Sequence, residues 1–519
     1  MLRIDISVVL NIHQESLYLA PTLKSLVDCV NVVNLSENLN IELVAVFDNS
    51  NSETISVFES ADLSSFSKVS VLNVHLGSLS LSRNAGIEIA TGQYIWTADA
   101  DDLVSSNALL TNWTLVKQSP EKQIAIFPEY VLSFGNYWSK AKYFDSDLLT
   151  PADFAFMNPY TSRIFINREA LIQIPYRYID NSSGFAFEDW DLNARLYAIG
   201  YKFIVSPNTV LFYRISTNSM LRQAILHSEG LPPHSKLFNY ETFRDIQKRR
   251  IQQSKGKYLL QLKRRKSIKQ ADGSASIDIS EIEKYIAESA EHEPSIYPWG
   301  FTHNLKEDYL NIPANIKHWG FSLDKLLESL SEGNFTDVVI FDNRLFENIH
   351  EFVFHEISKR SSSEHKESKF LFISSDLNKF VQNTSIIPVK SKIIEFGLEF
   401  GHHNHEDQLT LLTRALVGLS PEILRLYIVP SDFSRGLIHK FGRVLSEHFE
   451  INYFRIADSR HEWKKWKLRL PHEIDFLRHN SRVLHKIIAQ SSNVIDEDIQ
   501  VLGSGVANKY IRSTNYKNV

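Results

Sequence analysis

Short apolar runs and stretches of helical apolar spacing alternate through the first hundred residues. Ile4 to Ile12 is rich in β-branched residues and ends in the polar Asn11-Ile12-His13-Gln14-Glu15. Leu17 to Val33 carries apolar residues three and four apart, the spacing of one helix face, with Pro21 tolerable in a first turn. Ile41 to Phe47 reads as a second strand, closed by Asp48-Asn49-Ser50-Asn51-Ser52-Glu53, and Val69 to Val74 as a third. Ser80 to Ala90 is a helix expectation stopped by Thr91-Gly92. Tyr94 to Ala98 follows as a fourth strand and runs into Asp99-Ala100-Asp101-Asp102. This β-α-β rhythm predicts an open, mostly parallel sheet, in which ligands bind beyond the carboxyl ends of the strands. His13, Glu15, Asp48 and the acids at 99–102 all fall at such ends.

The pattern returns late in the chain. Asp337 to Asp342, Phe370 to Ile373 and Leu426 to Pro430 predict buried strands, the last followed by a helix to Glu447. With 519 residues the chain exceeds one ordinary core. The expected division is an α/β domain over 1–235, a basic and helical linker over 236–299, and a second α/β Rossmann-like domain over 300–519.

Composition narrows the chemistry. An apolar fraction of 43% is that of a globular protein, and a net charge of -5 implies no wholesale nucleic-acid partner. The single cysteine, Cys29, excludes an internal disulfide and a multi-cysteine zinc site and fits a reducing compartment. Met1 to Leu10 turns polar too soon for a signal peptide, and no apolar run reaches transmembrane length. The expected location is cytoplasmic, with a peripheral place on the inner face of the plasma membrane as the variant.

Three carboxylates in four positions repel one another unless a cation or strong donors compensate. A hard divalent ion shared with substrate phosphates does so; an acidic turn with an Asp capping the next helix is the plainer alternative. Glu188-Asp189, after the loop signal Ser182-Ser183-Gly184, is a second acidic pair. It suits a general base within reach of a hydroxyl, or simply acids in the first turn of a helix over Leu192 to Ala198.

The ordered segments Ser7 to Glu15, Val46-Phe47-Asp48-Asn49-Ser50, Ser82-Arg83-Asn84-Ala85-Gly86, Gly92-Gln93-Tyr94-Ile95, Asp99-Ala100-Asp101-Asp102 and Gly184 to Leu192 resemble the family 2 glycosyltransferases of the GT-A fold, over roughly residues 4 to 220. The match departs from the family at Asn11-Ile12-His13 and at Ser50 to Glu53. The resemblance implies transfer of a sugar from a nucleotide diphosphate sugar, a UDP-sugar first, to a hydroxyl of a glycan or lipid-linked acceptor. It also implies Mg²⁺ or Mn²⁺ on the diphosphate and inversion at the anomeric carbon.

By the same resemblance Asp101 is the metal ligand, Asp189 the base, and Glu188 its orienter or an acceptor contact. His13, Glu15, Asp48, Arg83 and Asp99 serve the donor nucleotide. Trp190 offers a ring on which an acceptor sugar stacks. Asp48 also reads as an Asx-turn residue, and Arg83 as an ordinary surface arginine. The histidine that many family members carry as a further metal ligand is absent from Thr209 to Gln223, and Arg214 is assigned to the phosphates in its place.

Lys236 to Lys269 is basic, with Lys248-Arg249-Arg250 and Lys263-Arg264-Arg265-Lys266 flanking Tyr258-Leu259-Leu260. It reads as a solvated interdomain helix, or as one lying on an anionic membrane. The stretch from Phe400 resembles the first half of a GT-B glycosyltransferase, but 300–519 is too short for both halves. His402, His403, His405 and Glu406 form either a polar loop or a metal site. Two functions of different class follow: a bacterial surface-polysaccharide transferase, of O-antigen or capsule type by resemblance, or a non-catalytic glycan-binding scaffold on the same fold.

Overall fold

The computed structural model of the chain describes residues 3–216, 220–250, 252, 277–303, 305–310, 317–331, 333, 335–342, 350–363, 369–376, 391–419, 423–456 and 472–512. They build two sheets. The first contains β1 (Ile6–Ile12), β2 (Ile41–Asp48), β3 (Lys68–Val74), β4 (Tyr94–Asp99), β5 (Leu103–Val104), β6 (Ile124–Gly135), β7 (Trp138–Lys142), β8 (Phe165–Asn167), β9 (Lys202–Ile215) and β10 (Leu305–Leu310). Its order is β10-β7-β6-β8-β4-β1-β2-β3, with β9 pairing β5 and β6. β3, β2, β1 and β4 are mutually parallel. From β1 the chain steps outward to β2 and β3 and then returns to the other side as β4. The β1–β4 boundary is therefore the switch point where a crevice opens beyond the strand ends.

β1 and β2 are buried along their whole lengths, as apolar strands covered on both faces must be. The helix Leu79–Ile89 lies almost in backbone contact with them. A Cβ on Gly86 would come within 2.6 Å of Val9 and 2.7 Å of Val46. Only glycine permits that approach, and it sets the height at which Arg83, one turn earlier, leaves the helix.

The second sheet contains β11 (Asp337–Phe341), β12 (Phe370–Ser374), β13 (Lys392–Ile394), β14 (Arg425–Ile428), β15 (Glu450–Arg455), β16 (Lys486–Ala489) and β17 (Tyr510–Arg512). All are parallel, in the order β13-β12-β11-β14-β15-β16-β17, the doubly wound arrangement. The fold class is thus the expected one: an α/β protein with a parallel-rich first sheet and a second Rossmann-like sheet.

Division of the chain is less simple than its composition suggested. β10, from beyond residue 300, pairs with β7 of the first sheet. The helix Glu283–His292 packs there too, through Tyr285, Ile286 and the His292–Asp28 contact at 2.6 Å. One continuous apolar core joins the sheets through Phe238, Phe243, Leu327 and Leu416.

The described part of the basic segment holds the short 3-10 helix Lys236–Phe238 and a helix over 240–250. It buries Phe243 and Ile246, and Arg250 lies over the Tyr197 ring. Tyr258 to Leu260 and Lys263 to Lys266 lie outside the described residues. Among the described residues no helix is long and apolar enough to cross a membrane.

Candidate active site

The acidic cluster leaves β4 as a tight turn beside the start of the helix Leu19–Ser36, where the Thr22 hydroxyl donates to the Ala100 carbonyl at 3.0 Å. The carboxylates have different fates. Asp99 accepts from the Arg83 guanidinium at 2.8 Å and from the Ser162 hydroxyl at 3.1 Å. Burial raises its pKa, but the Arg83 charge and hydrogen bond outweigh burial and hold it below the usual carboxylate range. Asp102 is buried and accepts the Arg214 backbone N–H at 3.0 Å; burial, then Asp101 and Asp99, push its pKa well up. Among the described residues the Asp101 carboxylate takes a hydrogen bond only from its own backbone N–H. Burial and the neighbouring charges of Asp99 and Glu15 push it up to about 7. An under-compensated carboxyl at a switch point is a place for a cation.

Arg83 ties the site together. Its side chain is 1% exposed. Nη2 donates to Asp99 and Nη1 to Glu188, each at 2.8 Å, and the cation lies over the Tyr176 ring. The strand-end acids and the second acidic pair, 105 residues apart from Arg83 to Glu188 in sequence, thus share one buried cation.

Glu188 and Asp189 begin the helix Glu188–Ala198. Phe187, immediately before, has φ 67°, a left-handed conformation that a bulky side chain adopts only under constraint. The constraint comes from the Ala186 N–H bond to the Leu231 carbonyl at 3.0 Å and from the Phe187–Trp190 ring contact. Asp189 Oδ2 accepts from Asn158 at 3.0 Å, and Oδ1 from the Trp190 N–H at 2.8 Å. Burial first, then the Glu188 charge, push Asp189 up to about 7. Such a carboxyl changes charge near neutrality, as a general base requires.

Other expected residues fall differently. Glu15 accepts the His13 N–H at 2.6 Å and is raised in pKa by burial, so this loop borders the acidic turn. The His13 ring meets the Asp48 carbonyl at 2.5 Å. The Asp48 carboxylate is filled by the loop that follows β3: the N–H groups of Leu76, Gly77 and Ser78 and the Ser82 hydroxyl all donate to it. Burial raises its pKa, yet these bonds hold it low. The structure therefore makes Asp48 the organiser of the loop that launches the Arg83 helix, through donors 28 to 34 residues on rather than through a local Asx turn.

Two expectations are corrected. Trp190 does not present a stacking face. It is 4% exposed, its indole N–H donates to the Phe154 carbonyl at 2.8 Å, and Arg414 covers the ring at 5.5 Å. Arg214 does not point at a diphosphate. Nε donates to the Asp101 carbonyl at 3.1 Å, Nη2 pairs with Glu293 at 2.5 Å, and the guanidinium lies over the Tyr18 and Phe134 rings. Arg214 is a buttress of the acidic turn. Glu293, which completes it, carried no signal in the sequence, since it lies in the segment read as linker.

Among the described residues no three His, Cys, Asp or Glu side chains converge as a metal cage. His403 meets the Ser322 hydroxyl at 2.8 Å and stacks near His402, while His405 packs by Phe433. His402 and His403 lie in a turn, and His405 and Glu406 open the helix His405–Leu419.

A strand-end acid cluster and a second carboxylate pair lie together beyond the strand ends, joined by the buried Arg83. Residues 7–187 match the family described as Glycosyl transferase family 2, and the enzyme is a glycosyltransferase.

The chain is 26% identical over 227 residues to Glycosyltransferase GlyG of Streptococcus pneumoniae serotype 4, covering 42% of this chain and 73% of that protein. Among solved structures it is similar to S. aureus TarS residues 1-349 in complex with UDP-GlcNAc, at 14% identity and a TM-score of 0.34, covering 63% of this chain and 78% of that one. It is also similar to a longer S. aureus TarS chain, at 15% identity and a TM-score of 0.33, of which it spans 38% while 43% of this chain is covered.

Proposed function

We propose that this glycosyltransferase is metal-dependent and inverting, and that it moves a sugar from a nucleotide diphosphate sugar to a hydroxyl of a glycan or lipid-linked acceptor. The observation that carries the reading is the double engagement of Arg83, which puts the donor-side acid Asp99 and the acceptor-side pair Glu188-Asp189 in one site.

The donor's nucleoside lies at the β1–β4 switch point, against Asp99 and the His13–Glu15 loop. Asp101, whose carboxylate takes a hydrogen bond only from its own backbone N–H among the described residues, suits Mg²⁺ or Mn²⁺, since such an ion takes one or two carboxylates and draws the rest of its oxygens from phosphates and water. Bound there, the ion would neutralise charge developing on the departing diphosphate.

Asp189 takes the proton from the attacking hydroxyl as its oxygen bonds to the anomeric carbon. The bond from that carbon to the diphosphate oxygen breaks in the same displacement, and configuration inverts. Arg83 holds Glu188 at the edge of the site, and Asn158 fixes one oxygen of Asp189. By the resemblance of the first domain, the setting proposed is assembly of a bacterial surface polysaccharide such as an O-antigen or capsule, with a UDP-sugar as the first donor to test.

The test is a panel of nucleotide sugars with Mn²⁺ or Mg²⁺, scored for donor binding, hydrolysis and transfer. Wild type binds and turns over at least one donor. Asp101→Ala loses metal-dependent donor binding, and Asp189→Ala keeps donor binding while losing transfer. A wild type that binds no donor, or an Asp101→Ala variant indistinguishable from it, overturns the reading.

A further inference from the structure

Arg414 is a buried cation without an ionic partner. It sits in the second domain, on the helix His405–Leu419, and is 3% exposed. Among the described residues no carboxylate pairs with it. Nε donates to the Ala155 carbonyl at 2.7 Å, Nη2 has no hydrogen-bond partner, and the guanidinium lies over the Phe238 and Trp190 rings at 4.6 and 5.5 Å. Burial alone lowers its pKa to about 9. A guanidinium removed from water without a carboxylate costs several kcal/mol in ordinary circumstances, so something in its surroundings keeps it there.

What surrounds it is the support of the acceptor base. The short helix Asp153–Phe156 offers consecutive carbonyls to two donors: Phe154 to the Trp190 indole and Ala155 to Arg414. Two residues on, Asn158 donates to Asp189, and Asn193 of the base's own helix donates back to Asn158 at 3.1 Å. Gly320, on the helix Lys317–Ser331, touches the same support: a Cβ there would come within 2.2 Å of the Ala152 Cβ.

A second hold acts on the loop before the base. The helix Asp432–Ser446 is kinked at Phe441, and its Arg443 and Val444 N–H groups each donate to the Glu229 carboxylate at 2.9 Å. The Glu229 N–H bonds the Gly184 carbonyl at 2.7 Å, at the start of the loop that leads to Phe187.

We propose that Arg414 is a positioning residue through which the C-terminal domain sets the acceptor base: it pins residues 154–158, and Asn158 in turn orients Asp189. The inference rests on Asp189 as base. It gives the second domain a part in the first domain's reaction, as a clamp on the acceptor side.

The pH consequence has a definite sign. Asp189 faces Glu188 on its own helix, Arg83 on Leu79–Ile89, Tyr176 in the preceding loop and Tyr213 on β9. Donation from Asn158 favours the charged carboxylate, so loosening Asn158 raises the pKa of Asp189.

The experiment compares full-length wild type with Arg414→Met, Arg414→Lys, Asn158→Ala and Asp189→Asn, measuring kcat, donor KM, nucleoside diphosphate binding and the pH profile of kcat. Arg414→Met lowers kcat on the order of tenfold or more, as loss of base alignment does. It leaves donor KM and UDP binding unchanged and moves the acid limb of the profile to higher pH. Asn158→Ala moves the limb the same way, and adding Arg414→Met to it has little further effect. Arg414→Lys, which keeps the charge and a donor, recovers part of kcat; it and the Asn158 variant carry the test if the methionine variant does not fold. An Arg414→Met enzyme less stable than wild type but unchanged in kcat and pH profile overturns the proposal. Asp189→Asn retaining transfer overturns the base assignment instead, so the two failures are distinct.

Discussion

Replacing Arg83 by methionine removes a buried cation that serves both halves of the site while keeping the length of its buried stem. Asp99 and Glu188 are each left without their 2.8 Å partner, and their side chains are only 26% and 24% exposed. Removing one member of a buried ion pair costs about 3–5 kcal/mol. Partial water access to both carboxylates places the expected loss at the low end, about 3 kcal/mol near pH 7.5.

The sign of its pH dependence follows from Asp99, whose folded pKa is depressed below the unfolded value. Its stabilisation is present above the unfolded carboxylate pKa of about 4 and is lost as pH falls through the lower folded value. Without Arg83, burial raises Asp99 above the ordinary carboxylate value, so the gap between wild type and Arg83→Met starts to narrow above pH ~4, as Asp99 of the variant protonates, and goes on narrowing down to the depressed wild-type value. Urea unfolding of both proteins, followed by intrinsic fluorescence at several pH values, measures the gap. A difference under about 1 kcal/mol at pH 7.5, the range of an exposed pair, refutes the bridge, as does a difference that stays constant from pH 7.5 down to 3.

Asp101→Asn removes a carboxyl that repels Asp99 and Glu15. It should leave the thermal midpoint unchanged or raised while metal-dependent nucleoside diphosphate binding falls at least tenfold, as read by titration calorimetry with and without Mn²⁺. The pH profile of kcat should rise through an inflection near 7, because the base works only when ionised and Asp189 sits at about 7; a profile flat from pH 5.5 to 8 counts against Asp189. Trp190→Phe should cost about 1 kcal/mol for the lost indole bond to Phe154 and leave acceptor KM within about twofold; a large rise in acceptor KM without loss of stability would restore a stacking role.

The ends of β1, β2 and β4 were legible because buried parallel strands announce themselves as unbroken apolar runs, and a polar cluster after such a run has only one place to go. The acids at 99–102 were found that way; the pair at 188–189 was found by its place after the loop signal Ser182-Ser183-Gly184. What stayed hidden is long-range. Nothing local to Arg83 says that its two nitrogens go to carboxylates 16 and 105 residues away. Asp48 looked available because the loop N–H groups that fill it come from Leu76 to Ser78. Trp190 looked like a sugar platform because the residue that covers it, Arg414, belongs to the other domain. Arg214 looked free for phosphate because its partner, Glu293, arrives on a segment whose composition reads as linker.

The central claim is a single displacement in one crevice, with Asp189 on the face of the sugar opposite the diphosphate. Proton NMR of the first product formed from an α-linked nucleotide diphosphate sugar tests it directly, through the anomeric coupling of the transferred residue before any equilibration. The account predicts a β-linked product. An α-linked product would contradict it.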